Sequence, residues 1–274
     1  MDYKYYKTID STNNEAKRLI ALGEIKGKTC LVAEEQTAGR GRQGKSFFSP
    51  DTGLYMTVLF PVDCPITSQV TMTVRTACAV AEAIEELKIC DNKIGIKWVN
   101  DIYISDRKCS GILCEAINDY DSGRMKYIII GIGINIYAKD WPKELKGKAG
   151  SLFVNEDELM RFVMENKLIK DPSSNTNIDS NAVSGSDQNV AYDLVRTMFA
   201  QRIADKLTLW LFEKQKDDFL NYYRSHSIVL GKKIQYIENY ETKEGTAVDI
   251  DENGGLVLED DTVLSSGEIS ILIE

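Results

Sequence analysis

The run Gly39-Arg40-Gly41-Arg42-Gln43-Gly44-Lys45-Ser46 puts three glycines and three cations within eight positions. Glycines let a backbone approach a ligand closely, and arginine forks bind phosphate or carboxylate through two parallel hydrogen bonds. The run satisfies the G-x-x-x-x-G-K-[ST] pattern of a P-loop, and its first six residues satisfy the G-x-G-x-x-G of a dinucleotide site. Both motifs need a helix directly after the loop, because the helix N-terminus helps to hold the phosphates. Here Phe47-Phe48-Ser49-Pro50-Asp51-Thr52-Gly53 is turn material leading into a strand, so neither motif is expected to work as such. A flexible cationic loop remains: an anion-binding site, or more plainly a solvated basic loop, with its place between two strands favouring the site.

Two further segments have types and spacing suited to chemistry. Lys97-Trp98-Val99-Asn100-Asp101 ends a strand, and Lys108 follows just after a short turn. An Asn-Asp pair there could hold a magnesium ion or nucleotide oxygens, and a lysine could neutralise a developing anion. An ordinary turn is the equal alternative, with Trp98 a core residue by default. In Gly131-Ile132-Gly133-Ile134-Asn135 the strand is too apolar to be an edge. Repeated glycine then means that a ligand, or equally a helix, packs on the backbone itself.

The elements that must position these segments alternate along the chain. Tyr3, Tyr5 and Ile9 suggest a strand; Thr12 with Glu15 has capping-box spacing and leads a helix through Ala16, Leu19 and Ile20 to Gly23. Residues 29–36 and 53–60 read as strands, and Val70, Val74, Cys78, Ala81, Ile84 and Leu87 mark one buried helix face between Thr67 and Leu87. Sequential short strands follow to Asn135. They predict an α+β fold, a mixed sheet with helices on one face. Residues 171–189 are rich in Ser, Asn and Asp and read as a mobile insertion. Val190, Leu194, Met198, Ile203, Leu207 and Trp210 mark a long helix, and five short strand-like runs from Gly231 predict a small β-barrel. The expected division is 1–226 and 227–274.

Composition excludes several classes. The 274 residues carry a formal net charge of −9, against the basic footprint that gripping nucleic acid needs. A single histidine, His226, rules out a multi-histidine zinc site and reads as structural. Six cysteines show no C-x-x-C spacing, the start MDYKYYKTID is no signal peptide, and no apolar run approaches the ~20 residues that span a bilayer. A cytoplasmic protein without membrane contact is expected.

Taken in order, Ser11-Thr12-Asn13, Glu35 to Gly44, Lys97-Trp98-x-Asn100-Asp101, Lys108-x-x-Gly111-Ile112-Leu113-x-Glu115, Gly131 to Asn135 and Gly267-Glu268-Ile269-Ser270 resemble the biotin protein ligases (biotin–[acetyl-CoA-carboxylase] ligases). The resemblance implies an α+β catalytic domain followed by an SH3-like barrel. It implies an enzyme that joins biotin to ATP as biotinyl-5′-AMP and passes the biotin to a lysine of a biotin carboxyl carrier protein. By resemblance, Ser11, Thr12, Asn13, Gln36, Gly39, Arg40, Gly41, Arg42, Lys108, Gly111, Ile112, Gly131 and Gly133 bind biotin. Arg40, Arg42, Lys45, Phe47, Asn100, Lys108 and Asn135 bind the nucleotide; Lys108, Arg42 and Asp101 are catalytic, with Asp101 also holding Mg2+.

Departures from the family pattern are Lys45-Ser46-Phe47 where Arg-x-Trp is common, Val99 for proline, Ser110 for alanine, and the insertion at 171–189. Only ten residues precede Ser11, so the form without an N-terminal DNA-binding domain is expected, with no direct DNA binding. The sequence leaves homodimer formation open. Rival readings are a lipoate or octanoate ligase of the same superfamily, a P-loop NTPase, and a non-catalytic biotin-binding protein.

Overall fold

A computed structural model describes residues 1–66, 69–89, 93–138, 140–166, 168, 185–238 and 240–272. The elements are β1 (Asp2–Ile9), α1 (Thr12–Ala21), β2 (Thr29–Gln36), β3 (Leu54–Pro65), α2 (Gln69–Glu86), β4 (Ile94–Lys97), β5 (Asp101–Ile104), β6 (Arg107–Asp119) and β7 (Arg124–Ile134). They continue with α3 (Glu156–Glu165), α4 (Gly185–Thr208), a π-helical turn (Leu209–Glu213), α5 (Lys216–His226), β8 (Lys233–Glu238), β9 (Glu241–Ile250), β10 (Leu256–Leu258), β11 (Val263–Leu264) and β12 (Ile269–Ile271). Of the polar stretch expected to be a mobile insertion, residues 171–184 lie outside the described residues, and 185–189 open α4.

The first seven strands form one sheet in the order β1-β2-β3-β7-β6-β5-β4. Only β1 and β2 run parallel, because α1 crosses between them; short turns join β4 to β5, β5 to β6 and β6 to β7, and β3 pairs antiparallel with both β2 and β7, so the sheet is mixed as expected. The period of two divides each strand between two cores. Cys30 and Val32 of β2 and Val58 and Phe60 of β3 join the large core with α2, α4 and α5. Leu31 and Leu59 point the other way, with Ile129, onto Ala16 and Leu19 of α1. Helices α2, α4 and α5 stack on one face, and α1 adds a cover on the opposite face. The helical spacing around Thr12 is correct, but a period of 3.6 carries no sign of which face of the sheet it covers.

The second sheet is antiparallel, ordered β11-β10-β9-β8-β12, and no ladder joins β11 to β12 among the described residues. It is fastened to the first at several points. Trp98 Nε1 donates to the Gly254 carbonyl at 2.9 Å, and Thr71 Oγ1 to the Asn253 carbonyl at 2.7 Å. Gly254 takes the left-handed conformation (φ +88°), and a Cβ there would lie 2.8 Å from Val74, so only glycine fits. Arg224 of α5 grips Asp249 through Nε and Nη2 at 2.6 and 3.0 Å. The expected division after residue 226 falls at the end of α5, where His226 stacks on Tyr222 and bonds Glu85 of α2 through Nε2 at 2.9 Å. Among the described residues no helix is long and apolar enough to cross a membrane.

Trp98 is therefore a fastener between the sheets as well as a core ring. Trp98→Phe keeps most of the packing but leaves the Gly254 carbonyl unpaired. The expected loss is about 2 kcal/mol, seen as a lower urea midpoint at unchanged slope. An unchanged midpoint would show that the indole N–H contributes nothing.

Candidate functional site

A cleft of about 380 Å3 opens above the β5-β6-β7 part of the large sheet, bounded by the start of α1, the glycine loop, residues 145–149 and residues 267–270. Its floor is bare backbone. Gly111 and Gly133 are paired across β6 and β7, and Gly131 pairs with Leu113. A Cβ at Gly133 would lie 2.5 Å from the Phe47 ring, one at Gly111 2.9 Å from it, and one at Gly131 2.2 Å from Asn13 Oδ1. The glycines leave room for groups lying directly on the sheet, as their spacing suggested.

One end of the cleft is a polar well. Ser11, Thr12 and Asn13 are buried at the N-terminus of α1. Ser11, not Thr12, is the N-cap, and its side chain caps nothing. The expected capping box is absent because Gln36 from β2 does the capping: its Oε1 accepts from Thr12 N at 2.9 Å and from Thr12 Oγ1 at 3.2 Å. The hydroxyl of Thr57, fully buried on β3, lies 2.8 Å from Thr12 Oγ1 and donates to Asn13 Oδ1 at 2.6 Å. Gln36 Nε2 donates to Ser49 Oγ at 3.2 Å. Residues that look like a helix start in the sequence are thus committed to a fixed polar surface.

The other end is cationic. The glycine loop folds back on itself, with Gly41 N bonding the Lys45 carbonyl at 2.7 Å and Phe47 N the Gly39 carbonyl at 2.9 Å. Gln43 and Gly44 at its tip take positive φ, 53° and 74°. Arg42 Nη1 reaches across to Asn100 Oδ1 at 3.0 Å, and Asn100 Nδ2 is held by the Ile112 carbonyl at 3.0 Å. Lys108 Nζ sits 2.7 Å from Asp101 Oδ1, an oxygen for which the described residues offer no hydrogen bond of good geometry. Lys45 pairs with Glu268 of the second sheet's final segment. Lys97 also lines the cleft; burial pulls its ammonium below the usual lysine range, Asp101 opposes this, and Lys108 and Lys45 add to it.

All but two of the candidate residues line this cleft: Ser11, Thr12, Asn13, Gln36, Arg40, Gly41, Arg42, Lys45, Phe47, Asn100, Asp101, Lys108, Gly111, Ile112, Gly131 and Gly133. Gly39 and Asn135 do not. A Cβ at Gly39 would lie 2.4 Å from Ser49 Oγ, so this glycine serves closure of the loop base. Asn135 is buried with Nδ2 donating to the Gly150 carbonyl at 2.9 Å, which fixes residues 148–150 beside Lys108. Thr57, Lys97, Tyr103, Lys148 and Glu268 were not singled out as site residues. Glu268 and Lys97 belong to the recognised Gly267–Ser270 and Lys97–Asp101 runs; Thr57 and Tyr103 reach the site through strand register and Lys148 through the turn before Ala149, none with a local signal.

Chemically, the cleft offers cations, amides and hydroxyls and no histidine or cysteine among its lining residues. Such a set stabilises and orients anions rather than supplying a nucleophile. Among the described residues no three His, Cys, Asp or Glu side chains cluster as metal ligands. A divalent ion here would rest on Asp101 together with oxygens of a bound polyphosphate, the arrangement usual for magnesium.

A family model described as "Biotin/lipoate A/B protein ligase family" matches residues 5–135, and one described as "Biotin protein ligase C terminal domain" matches residues 229–272. The "Bifunctional ligase/repressor BirA" of Bacillus subtilis is 38% identical over 151 residues, covering 54% of this chain and 45% of that protein. Its Escherichia coli counterpart is 27% identical over 267 residues, covering 96% of this chain and 72% of that protein. The chain thus spans about half the length of the first relative and under three-quarters of the second. In fold, it is similar to the "Biotin protein ligase from Aquifex aeolicus in complex with biotin and ATP", with a TM-score of 0.70, 24% identity, and coverage of 100% and 99% of the two chains.

The glycine floor gives a contrast that stability can measure. Gly131→Ala must displace the buried Asn13 amide, at an expected cost of about 2 kcal/mol. Gly133→Ala meets only a loop ring that can swing away, so its loss should be clearly smaller. Equal thermal unfolding midpoints for the two variants would contradict the assigned packing.

Proposed function

Because this chain belongs to the Biotin/lipoate A/B protein ligase family, we propose that its cleft joins biotin to ATP and then passes the biotin to a lysine of a biotin carboxyl carrier protein. In the first step a biotin carboxylate oxygen attacks the α-phosphorus of ATP and pyrophosphate leaves, giving biotinyl-5′-AMP. In the second, a neutral lysine amine attacks the acyl carbon of that mixed anhydride; an amide forms and AMP leaves. The observation that carries the reading is the pairing of a polar well with a cationic end, joined by a strip without side chains. A ligand with an uncharged hydrogen-bonding head, an apolar stem and an anionic tail fits that order.

The roles follow from position. Ser11, Thr12, Asn13 and Gln36 meet the head group, with Thr57 fixing the Thr12 and Asn13 orientations. Gly131, Gly133, Gly111 and Ile112 form the bed for the stem. Lys108, already beside a carboxylate at 2.7 Å, turns to the biotin carboxylate and α-phosphate, where two anions must be brought together. Arg40 and Arg42, carried on the loop, close over the reacting groups and keep water from the adenylate. Lys45, Phe47 and Asn100 face the nucleotide, and Asn135 supports that side from behind through Gly150. Asp101 is the residue that would hold Mg2+, which when bound would screen the phosphate charges. The P-loop alternative falls because β3, not a helix, follows the loop.

The test is ATP–pyrophosphate exchange that depends on added biotin, with lipoate and octanoate as controls. Exchange with biotin alone is expected. Exchange with lipoate but not biotin would move the assignment to a lipoate ligase, and exchange with no acid would overturn the ligase reading. Lys108→Ala should lower the exchange rate at least ~100-fold with the unfolding transition intact. Arg42→Gly should release adenylate and label lysines on unrelated proteins; retention of adenylate at the wild-type level would contradict loop closure.

A further inference from the structure

Glu115 belongs to one of the recognised sequence runs, yet none of the roles above uses it. It lies on β6 with its side chain only 18% exposed, and groups from two other elements converge on it. Lys17 Nζ of α1 donates to Oε1 at 2.7 Å, Asn13 Nδ2 of α1 donates to Oε2 at 2.9 Å, and Arg40 Nη2 of the glycine loop lies 3.5 Å from Oε1. Arg40 also donates to Asn14 Oδ1 at 3.1 Å. We propose that Glu115 is a positioning residue for the adenylate-forming cleft, setting the orientation of the Asn13 amide and anchoring the glycine loop through Arg40. The inference rests on the reading of the cleft given above.

The hydrogen-bond directions support it. Asn13 gives its amide N–H to Glu115, which leaves Oδ1 to accept from Thr57. Thr57 contacts Thr12, Thr12 donates to Gln36, and Gln36 donates to Ser49 at the far end of the glycine loop. One chain of polar contacts therefore runs beneath the head-group well, with the loop tied to it at both ends, by Arg40 at Glu115 and by Ser49 at Gln36. Burial alone would push the Glu115 carboxyl up, but Lys17, Asn13 and Arg40 outweigh it and hold the group below the usual range, so it stays an acceptor. Replacing it by glutamine forces a conflict. If the amide oxygen stays with Lys17 and Arg40, its NH2 faces the NH2 of Asn13. If it turns to Asn13, the two cations lose their partner. Either way, the well or the loop is released.

The experiment uses the whole protein loaded with biotinyl-5′-AMP and follows its release, alongside the KM for biotin in pyrophosphate exchange. Glu115→Gln is expected to speed release and raise the biotin KM, each by roughly ten-fold, with the KM for ATP little changed. The double variant Glu115→Gln/Arg40→Ala should release adenylate more slowly than the product of the two single effects, because both substitutions break the shared Arg40–Glu115 contact. A purely structural Glu115 would lower the unfolding midpoint without moving the release rate. Release at the wild-type rate from folded Glu115→Gln, or effects that multiply in the double variant, would overturn the proposal. Should Glu115→Gln not fold, Glu115→Asp takes its place in the same cycle, since it keeps the charge but withdraws the carboxylate from Arg40. A wild-type protein without biotin-dependent exchange would overturn the reading of the cleft instead, a result separate from any of these.

Discussion

The site depends on three glycines having no side chains. Gly111, Gly131 and Gly133 lie on adjacent antiparallel strands in the middle of a seven-stranded sheet, at positions where any Cβ would strike Asn13 or Phe47. A central strand ordinarily loses stability with glycine, since it gives up both packing and backbone order. Here the surrounding residues hold the ladder: Ile128, Ile130, Ile132 and Ile134 of β7 are buried in the large core on the opposite face. The alternation of side chains in a strand thus lets one face carry an apolar core while the other is stripped to backbone. Everything that gives the cleft its chemistry is arranged around that bare strip.

The electrostatics follow from the same geometry. On a chain of net charge −9, cations collect at one end of the strip, and each of the main ones is restrained before any ligand arrives. Lys108 is paired with Asp101, Lys45 with Glu268, Arg42 is bonded to Asn100, and Arg40 is shared between Glu115 and Asn14. In the proposed reaction, where a carboxylate and a polyphosphate would meet, such restrained cations would need little reorganisation, the way a site without its own nucleophile lowers a barrier between two anions. The contact from Glu268 also shows that residues from opposite ends of the chain share one cleft, with Trp98 and Arg224 holding the second sheet in register with the first.

Much of this was legible in the residues and the rest was not, for identifiable reasons. The element order, the mixed sheet and the gathering of the Gly39–Lys45 loop, the Asn100-Asp101 turn and Lys108 all follow from local patterning and from the resemblance. The P-loop match fails, because Pro50 and Gly53 lie where the required helix would be and a strand follows. Thr12 and Glu15 mimicked a capping box, but the cap comes from Gln36, 24 positions away. Glu115 and Lys97 belong to recognised runs, but nothing in those runs names what they meet, and Thr57 reaches the site through strand register, which no local spacing encodes. The role of Trp98 as a fastener needed a partner 156 positions distant. Sequence shows which residue types are available; long-range pairing decides which of them meet.

The central claim is that the glycine strip is the bed on which biotin lies between the polar well and the cations. In the structure the Phe47 ring rests against Gly133 and Gly111, on the same strip. A crystal structure with biotinyl-5′-AMP bound tests the claim most directly. The account predicts the head group against Thr12, Asn13 and Gln36, the stem over Gly131 and Gly133, the phosphate near Lys108 and Arg42, and Phe47 displaced from the floor. Adenylate bound elsewhere, with Phe47 still lying on Gly133, would contradict it.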